Sequence, residues 1–396
     1  MSEWKTYTLG EITERITSGG TPSTRKSEYY GGIIPWLRTQ EVNFNRIYDT
    51  EIKITNEAVL NSSVKMIAEN SIIIAMYGAT AGRIAINKIP LTTNQACCNI
   101  TIDSQKADYN FVYYFLKSKF GEILNMATGA AQQNLNAGML RDFEITLPDL
   151  PTQTQIAQIL TSLDDKIELN LQMNQTLEAM AQAIFKEWFV DFKFPGFEGE
   201  LVEGLPKGWS KEPLDEKISY LNGLALQKFP PKNETDYLPV IKIKELKQGI
   251  SESSDKASIE IDKKYIIEDG DILFSWSGSL EIVMWCNGKG ALNQHLFKVS
   301  SEKYPKWFYY YWTKEFLPIF QATAADKATT MGHIQRRHLT ESLINVPDKS
   351  LMKLANDILE PLLERIKSNA IQMQTLIQTR DSLLPRLMSG KIEVTL

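Results

Sequence analysis

Several short stretches carry residue types that do chemistry, each suited to a particular reaction. Glu51-Ile52-Lys53 and Asp191-Phe192-Lys193 look like fragments of a nuclease acid-x-lysine element, but neither has a properly placed upstream acid, and such triplets arise often by chance. Both read as ordinary surface residues. Gly78-Ala79-Thr80-Ala81-Gly82-Arg83 is glycine-rich, yet its spacing matches neither the G-x-x-x-x-G-K-[ST] phosphate loop nor the G-x-G-x-x-G dinucleotide turn. The single Pro-Pro, Pro230-Pro231, sits in Phe-Pro-Pro-Lys, so the Asn-Pro-Pro-aromatic signature for methylating an exocyclic amine is absent. Three cysteines (Cys97, Cys98, Cys286) and three histidines (His295, His333, His338) have no zinc-ligand spacing and no nucleophile elbow beside them. The expectation is a chain with no catalytic residues, no bound metal and no cofactor of its own.

Polar loops carrying bases, amides and hydroxyls remain. The first half offers Thr21, Ser23, Arg25 and Lys26; Arg38, Thr39 and Gln40; Tyr77, Thr80 and Arg83; and Gln132, Gln133 and Asn134. The second half offers Lys242 and Lys244; Ser275, Trp276, Ser277 and Ser279; Lys327, Thr329 and Thr330; and His333, Gln335, Arg336 and Arg337. Arginine and lysine suit guanine acceptors or phosphate, Gln and Asn pair bidentately with adenine, and Ser and Thr serve either, so these are the candidate DNA-binding residues. Taken one at a time, such residues are also simply what loops look like. The set gains weight because the loops differ between the two halves while the elements around them match.

Those elements form a repeat. Asn94-Gln95 recurs as Asn293-Gln294 and Pro148 as Pro347, both 199 residues on, and Glu69-Asn70-Ser71-Ile72-Ile73-Ile74 recurs as Glu268-Asp269-Gly270-Asp271-Ile272-Leu273. Trp4 and Leu9 match Trp209 and Leu214 at an offset of 205. Short apolar runs (Ile72–Ala75, Ile84–Ile86, Ile272–Phe274) read as buried strands, and 109–126 and 306–321 as helices packed on them. Two similar units in one chain suit a partner that is itself nearly two-fold, such as duplex DNA. The chain has 396 residues, 43% hydrophobic and 23% charged, enough for two or three cored domains, and its net charge of −5 excludes a histone-like protein but not local basic patches.

From Thr152 the spacing changes. Ile156, Leu160, Leu163, Ile167, Asn170, Asn174, Leu177, Ala181, Ile184 and Trp188 step by four and three, the seam of a coiled coil. Ala355, Leu359, Leu362, Ile366, Asn369, Met373, Leu376, Arg380, Leu383 and Leu387 repeat it 199 residues later. Thr152 with Gln155 reads as a capping box and Pro195-Gly196 as the stop. A helix of about 40 residues is on the order of 60 Å long, and with one apolar stripe it cannot stand alone in water, so each helix is expected to pack antiparallel on the other. Asn170 and Asn369 interrupt the two seams at equivalent places, either fixing register or marking a solvated defect. Pro361 is expected to kink the second helix or delay its start. Trp188, Phe189, Phe192, Leu387 and Met388 near the helix ends read as exposed apolar groups that bind a partner. The opening segment lacks a charged and then apolar leader, no run approaches a membrane span, and the cysteine usage fits a reducing cytoplasm.

Over nearly its full length the chain resembles specificity subunits of type I restriction–modification enzymes. The likeness rests on Ile184-Phe185-Lys186-Glu187-Trp188-Phe189-Val190-Asp191-Phe192, on Leu383-Leu384-Pro385-Arg386-Leu387-Met388-Ser389-Gly390-Lys391-Ile392, and on Leu163-Asp164-Asp165-Lys166-Ile167. It departs from the pattern in the second unit, which has Leu354 where the first has Gln155 and lacks an Asp-Asp-Lys at 363–365. The resemblance implies an α+β fold of two pseudo-symmetric repeats, each a mixed α/β target-recognition domain (1–150 and 196–347) followed by a long helix (151–195 and 348–396), the helices forming an antiparallel coiled coil. It also implies a DNA-binding, non-catalytic role on a bipartite site. Two methylation subunits carrying S-adenosylmethionine would dock on the helices, and restriction subunits would bring ATP and magnesium. The rival readings are a free-standing DNA methyltransferase or nuclease with unrecognised motifs, and a coiled-coil scaffold for protein partners.

Overall fold

The computed structural model describes residues 4–129, 134–325 and 332–394, with the side chains of 127–129 outside the description. The chain divides into two compact units, one formed by 1–165 with 377–396 and the other by 166–376. Each unit therefore contains part of both long helices.

In the first unit a five-stranded sheet runs Thr13–Ser18, Cys97–Ile102, Ile72–Ala75, Ile84–Asn87, Asn45–Ile47, and a four-stranded sheet runs Ile52–Ile54, Tyr30–Leu37, Leu91–Thr93, Met66–Ile67. The strand Ile72–Ala75 is fully buried because it is central and both its faces are covered. Its alternation sends Ile72 and Ile74 into the core under the helix Tyr109–Ser118, while Ile73 and Ala75 enter a second core with Leu37 and Leu91. Two antiparallel strands, Lys5–Thr8 and Glu144–Leu147, close the unit.

The second unit repeats this plan. One sheet runs Ser219–Asn222, Leu296–Ser300, Ile272–Ser275, Ile282–Met284; the other runs Lys256–Ser258, Tyr237–Ile241, Gly290–Leu292, Ile266–Ile267. The parallel pairing repeats too: Trp36 and Leu37 lie beside Thr92 and Thr93, as Val240 and Ile241 lie beside Ala291 and Leu292. The strand Asn45–Ile47 has no counterpart among the described residues. The helix expected over 109–126 is two, Tyr109–Ser118 and Phe120–Gly129, whereas the second unit's helix runs Lys306–Ala325 past Pro318.

The long helices span Leu150–Phe185 and Lys349–Met388. Both start earlier than a Thr152 cap would allow, because the aspartate after each proline caps instead. Asp149 Oδ1 accepts the Thr152 amide at 2.9 Å, and Asp348 Oδ1 accepts those of Ser350 and Leu351 at 2.7 and 3.0 Å. Nor does Pro361 delay the second helix, which passes through that exposed position. The first helix ends before Pro195-Gly196. It widens into a π-type turn at Lys186–Val190 and stops where Phe192 adopts a φ of 58°.

The seams hold as spaced: every seam residue named above is buried or half-buried. In the second unit Asn170 Nδ2 donates to Gln372 Oε1 at 2.8 Å, Asn369 Nδ2 to Asn174 Oδ1 at 2.9 Å, and Asn174 Nδ2 to the Ile366 carbonyl at 3.0 Å. Partner numbers fall along one helix as they rise along the other, so the pair is antiparallel. Asn170 and Asn369 are 0% and 2% exposed, so they are bonded to protein groups in a buried polar layer and are not a solvated defect.

Each unit also ties its sheet-packed helix to the first long helix through a carboxylate. In the first unit Asp164 accepts from the Tyr114 hydroxyl and from Arg380 Nη1, both at 2.6 Å. Burial, and then the neighbouring carboxylate, push the Tyr114 hydroxyl well up, which keeps it a donor. In the second unit Glu178 accepts from Lys314 Nζ at 2.6 Å and from the Tyr311 hydroxyl at 3.3 Å.

Replacing Asn369 by Ala leaves the half-buried Asn174 amide oxygen without its donor and should cost about 1 kcal/mol in denaturant unfolding. Combined with Asn174→Ala it should cost less than the sum of the single losses. Strictly additive losses would show that the amides do not act as one layer.

Candidate nucleic-acid interface

In each unit, loops leave the carboxyl ends of the two parallel strands and are bound together by main-chain hydrogen bonds. In the first unit Gly19 and Gly20 N donate to Cys97 and Thr93 O (3.1, 2.9 Å), Asn94 N to Leu37 O (2.9 Å), and Cys97 N to Asn94 O (3.1 Å). Met76 N reaches Ala96 O (2.8 Å) and Leu135 N reaches Met76 O (2.9 Å). The second unit makes the same six bonds. Gly223 and Leu224 N donate to Leu296 and Leu292 O (3.1, 2.9 Å), Asn293 N to Ile241 O (3.3 Å), and Leu296 N to Asn293 O (3.0 Å). Trp276 N reaches His295 O (3.4 Å) and Ile334 N reaches Trp276 O (3.0 Å). The first glycine of each frame is required by space. A Cβ on Gly19 would lie 2.2 Å from Thr93 Oγ1 and 2.3 Å from Asn94 O, and one on Gly223 would lie 2.3 Å from Asn293 O.

This frame gathers the candidate loops of the first unit. Thr80 Oγ1 donates to Thr39 O at 2.8 Å, Arg83 Nη1 to Asn43 Oδ1 at 2.8 Å, and Thr21 Oγ1 to Gln95 Oε1. Arg38 pairs with Glu51, and Gln40 Nε2 lies 3.4 Å from the same carboxylate. Ser23, Arg25, Lys26, Gln40 and Asn134 are exposed, and Thr21, Arg38, Thr39, Tyr77, Thr80 and Arg83 are half-buried. Lys26 is not wholly free: its ammonium donates to the Tyr29 hydroxyl at 2.9 Å. Gln132 and Gln133 lie outside the described residues, as do Lys327, Thr329 and Thr330.

In the second unit, Lys242, Lys244, Lys256, Asp255, Gln294 and His295 line a cleft of about 680 Å³. Trp276 Nε1 donates to Asn222 Oδ1 at 3.1 Å, and its ring lies against His295 and His333. Ser277 is buried, with its hydroxyl 3.1 Å from His295 Nδ1. Ser279, Gln335, Arg336 and Arg337 are exposed and His333 half-buried. One expectation needs correction. Ser275 is fully buried, its hydroxyl donating to Ser279 O at 2.6 Å and accepting the Glu281 amide at 2.8 Å, so it braces a turn and presents nothing outward. Arg336 places Nη2 on the Tyr220 carbonyl at 3.0 Å and its guanidinium over the Phe297 ring, which ties it to the edge strand.

The partner-binding expectation fails for four of its five residues. Trp188 and Phe189 lie in the second unit's core against Trp209, Trp307 and Phe308, and Leu387 and Met388 lie in the first unit's core. Phe192 is half-buried on the Trp209 ring. The helix-end motifs are apolar because they plug their own units.

Asn94, Gln95, Asn222, Asn293, Gln294, His295 and Lys256 join the two clusters without being among the candidates read from the sequence. A signal for the first of these was present, since Asn-Gln is one of the few dipeptides repeated intact. Nothing in this cluster is catalytic in character. Burial holds the three thiols up, Cys286 to about 11 and Cys98 to about 12, so none is a ready thiolate. No group of three metal-ligating side chains occurs among the described residues, and none of the described helices is long and apolar enough to cross a membrane.

The family model for the type I restriction modification DNA specificity domain matches residues 1–179 and again 206–378. The specificity subunit of the MjaIX type I restriction enzyme of Methanocaldococcus jannaschii is 30% identical over 413 residues, covering 99% of this chain and 94% of that protein. The HindI specificity subunit of Haemophilus influenzae is 23% identical over 99% of this chain and 100% of that one. A crystal structure of a type I restriction–modification S subunit from M. genitalium shares the fold, with a TM-score of 0.60 at 16% identity over 98% of this chain and 96% of that one. The chain belongs to the family of type I restriction–modification DNA specificity subunits. Its role is accordingly DNA sequence specificity, without catalysis of its own.

Gly223→Ala should force apart the Leu292–Asn293 carbonyls at a cost of about 1–3 kcal/mol, seen as faster amide exchange over 290–296. Unchanged exchange there would mean that the frame yields without strain.

Proposed function

We propose that each loop cluster reads one half of a split DNA target, and that the two long helices set the spacing between halves and carry two methylation subunits. The observation that carries this reading is one main-chain frame built twice with different side chains on it. A fixed frame with variable side chains suits two modules that approach the duplex alike and select different bases. Exposed bases such as Arg25, Lys26, Lys244 and Arg337 would contact phosphates and contribute most of the salt-dependent affinity. The amides and hydroxyls around Asn94-Gln95 and Asn293-Gln294 stand where base edges would be read, each good bidentate contact discriminating by about 1–3 kcal/mol. S-adenosylmethionine would be bound by the methylation subunits, which would methylate adenine N6 on a flipped base, and ATP and magnesium by the restriction subunits. The exposed flanks of the long helices are the surface left for docking, since the helix-end aromatics are committed to cores.

Exchanging residues 1–148 for those of a relative should change one half of the methylated target and leave the other half and the spacer intact, as read by mapping methylated adenines in cells carrying the complete system. A change in both halves would defeat the modular reading. Purified chain given S-adenosylmethionine and DNA should not turn over, whereas methylation by the chain alone would favour a free-standing enzyme.

A further inference from the structure

One pairing is shared by both clusters although the loops around it differ. Arg38 pairs with Glu51 in the first unit, and Lys242 pairs with Asp255 in the second. The offset is 204 for the base and 204 for the acid, so these are the same two positions of the repeat. A third acid at that offset anchors each pair. Glu41 accepts the Arg38 amide at 3.1 Å on Oε1 and the Glu51 amide at 3.0 Å on Oε2. Glu245 accepts the Lys242 amide at 3.1 Å on Oε2 and the hydroxyl of Ser254, the residue before Asp255, at 3.0 Å on Oε1. In the first unit one carboxylate thus holds both partners at the backbone, in the second it holds the Lys242 backbone and the Ser254 hydroxyl beside Asp255, and the paired acids are themselves 65% and 62% exposed.

A residue that selects a base should differ in chemistry between modules that select different bases. Here the charge pattern is kept while the side chains change from Arg to Lys and from Glu to Asp, so the pair serves a task common to both half-sites. That task involves the DNA backbone, which is the same for every sequence. We propose that Glu51 and Asp255 are specificity filters. Each neutralises the base beside it, so that Arg38 and Lys242 add little to binding on arbitrary duplex and are released to a phosphate only when a fitted half-site brings that phosphate into place. An ion pair facing water is weakly held, so a positioned phosphate can displace the acid. This rests on the reading of the loops as DNA-contacting.

The test measures binding of the full chain to a 30-base-pair duplex of random sequence by fluorescence anisotropy, across about 50–200 mM salt. Glu51→Gln and Asp255→Asn should each tighten binding about two- to five-fold and steepen the slope of log K against log salt by about 0.9. Adding Arg38→Gln to Glu51→Gln should remove the gain. Glu200→Gln, an exposed acid in the segment between the units' sheets, makes the same change in net charge and should leave the slope unaltered. The filter is overturned if the acid variants match wild type, if Glu200→Gln reproduces their effect, or if the gain survives loss of Arg38. Wild-type chain that binds neither the random duplex nor its mapped methylation target would overturn the DNA reading itself.

Discussion

The fold depends on covering two long helices that are each apolar along one stripe, since most helical stability comes from burying such a face. Burial is supplied piecemeal. Leu384, Leu387 and Met388 join Ile156 and Leu160 in the first unit's core, while Ala181, Phe185, Trp188 and Phe189 join Ala355, Leu359 and Leu363 in the second's. The end of each helix is therefore a structural member of the unit that receives it, and neither helix is an appendage of the sheet domain before it in sequence. The buried Asn170 and Asn369, with the half-buried Asn174 and the exposed Gln372, then set which turn meets which, since a slip would leave several amides without partners.

Above that scaffold the same economy recurs at finer scale. Two parallel strand ends, one close-packed glycine and six main-chain hydrogen bonds hold the loops of each unit. Because the bonds are between main-chain groups, side chains on the loops are free to vary without loss of the frame. This separation of support from side chain lets one architecture carry two different sets of loops.

Much of this was legible in the sequence where period and order carry the information. The four-and-three spacing gave the seams, and the unbroken apolar runs at Ile72–Ala75 and Ile272–Phe274 gave buried strands. The reading failed where two local signals compete or where burial is decided by the tertiary fold. Thr152 with Gln155 satisfied a capping rule, but Asp149 takes the Thr152 amide and starts the helix earlier. Trp188 and Phe189 looked exposed because nothing local announces the aromatic helix Lys306–Ala325 that covers them. Ser275 resembled a loop hydroxyl but is turned inward by Glu281. Asn94 was visible only as a repeat landmark, and its place between three loops emerges once strands far apart in sequence are paired.

The two carboxylate anchors, Asp164 and Glu178, both lie on the first long helix, and the positions 199 residues on are Leu363 and Ile377. The two halves are thus alike in plan but keyed differently at their seats. The tyrosine of each sheet-packed helix is matched to an acceptor placed on a different turn of the first long helix. Moving one unit's sheet-packed helix to the other unit's place would therefore require the long helices to change with it.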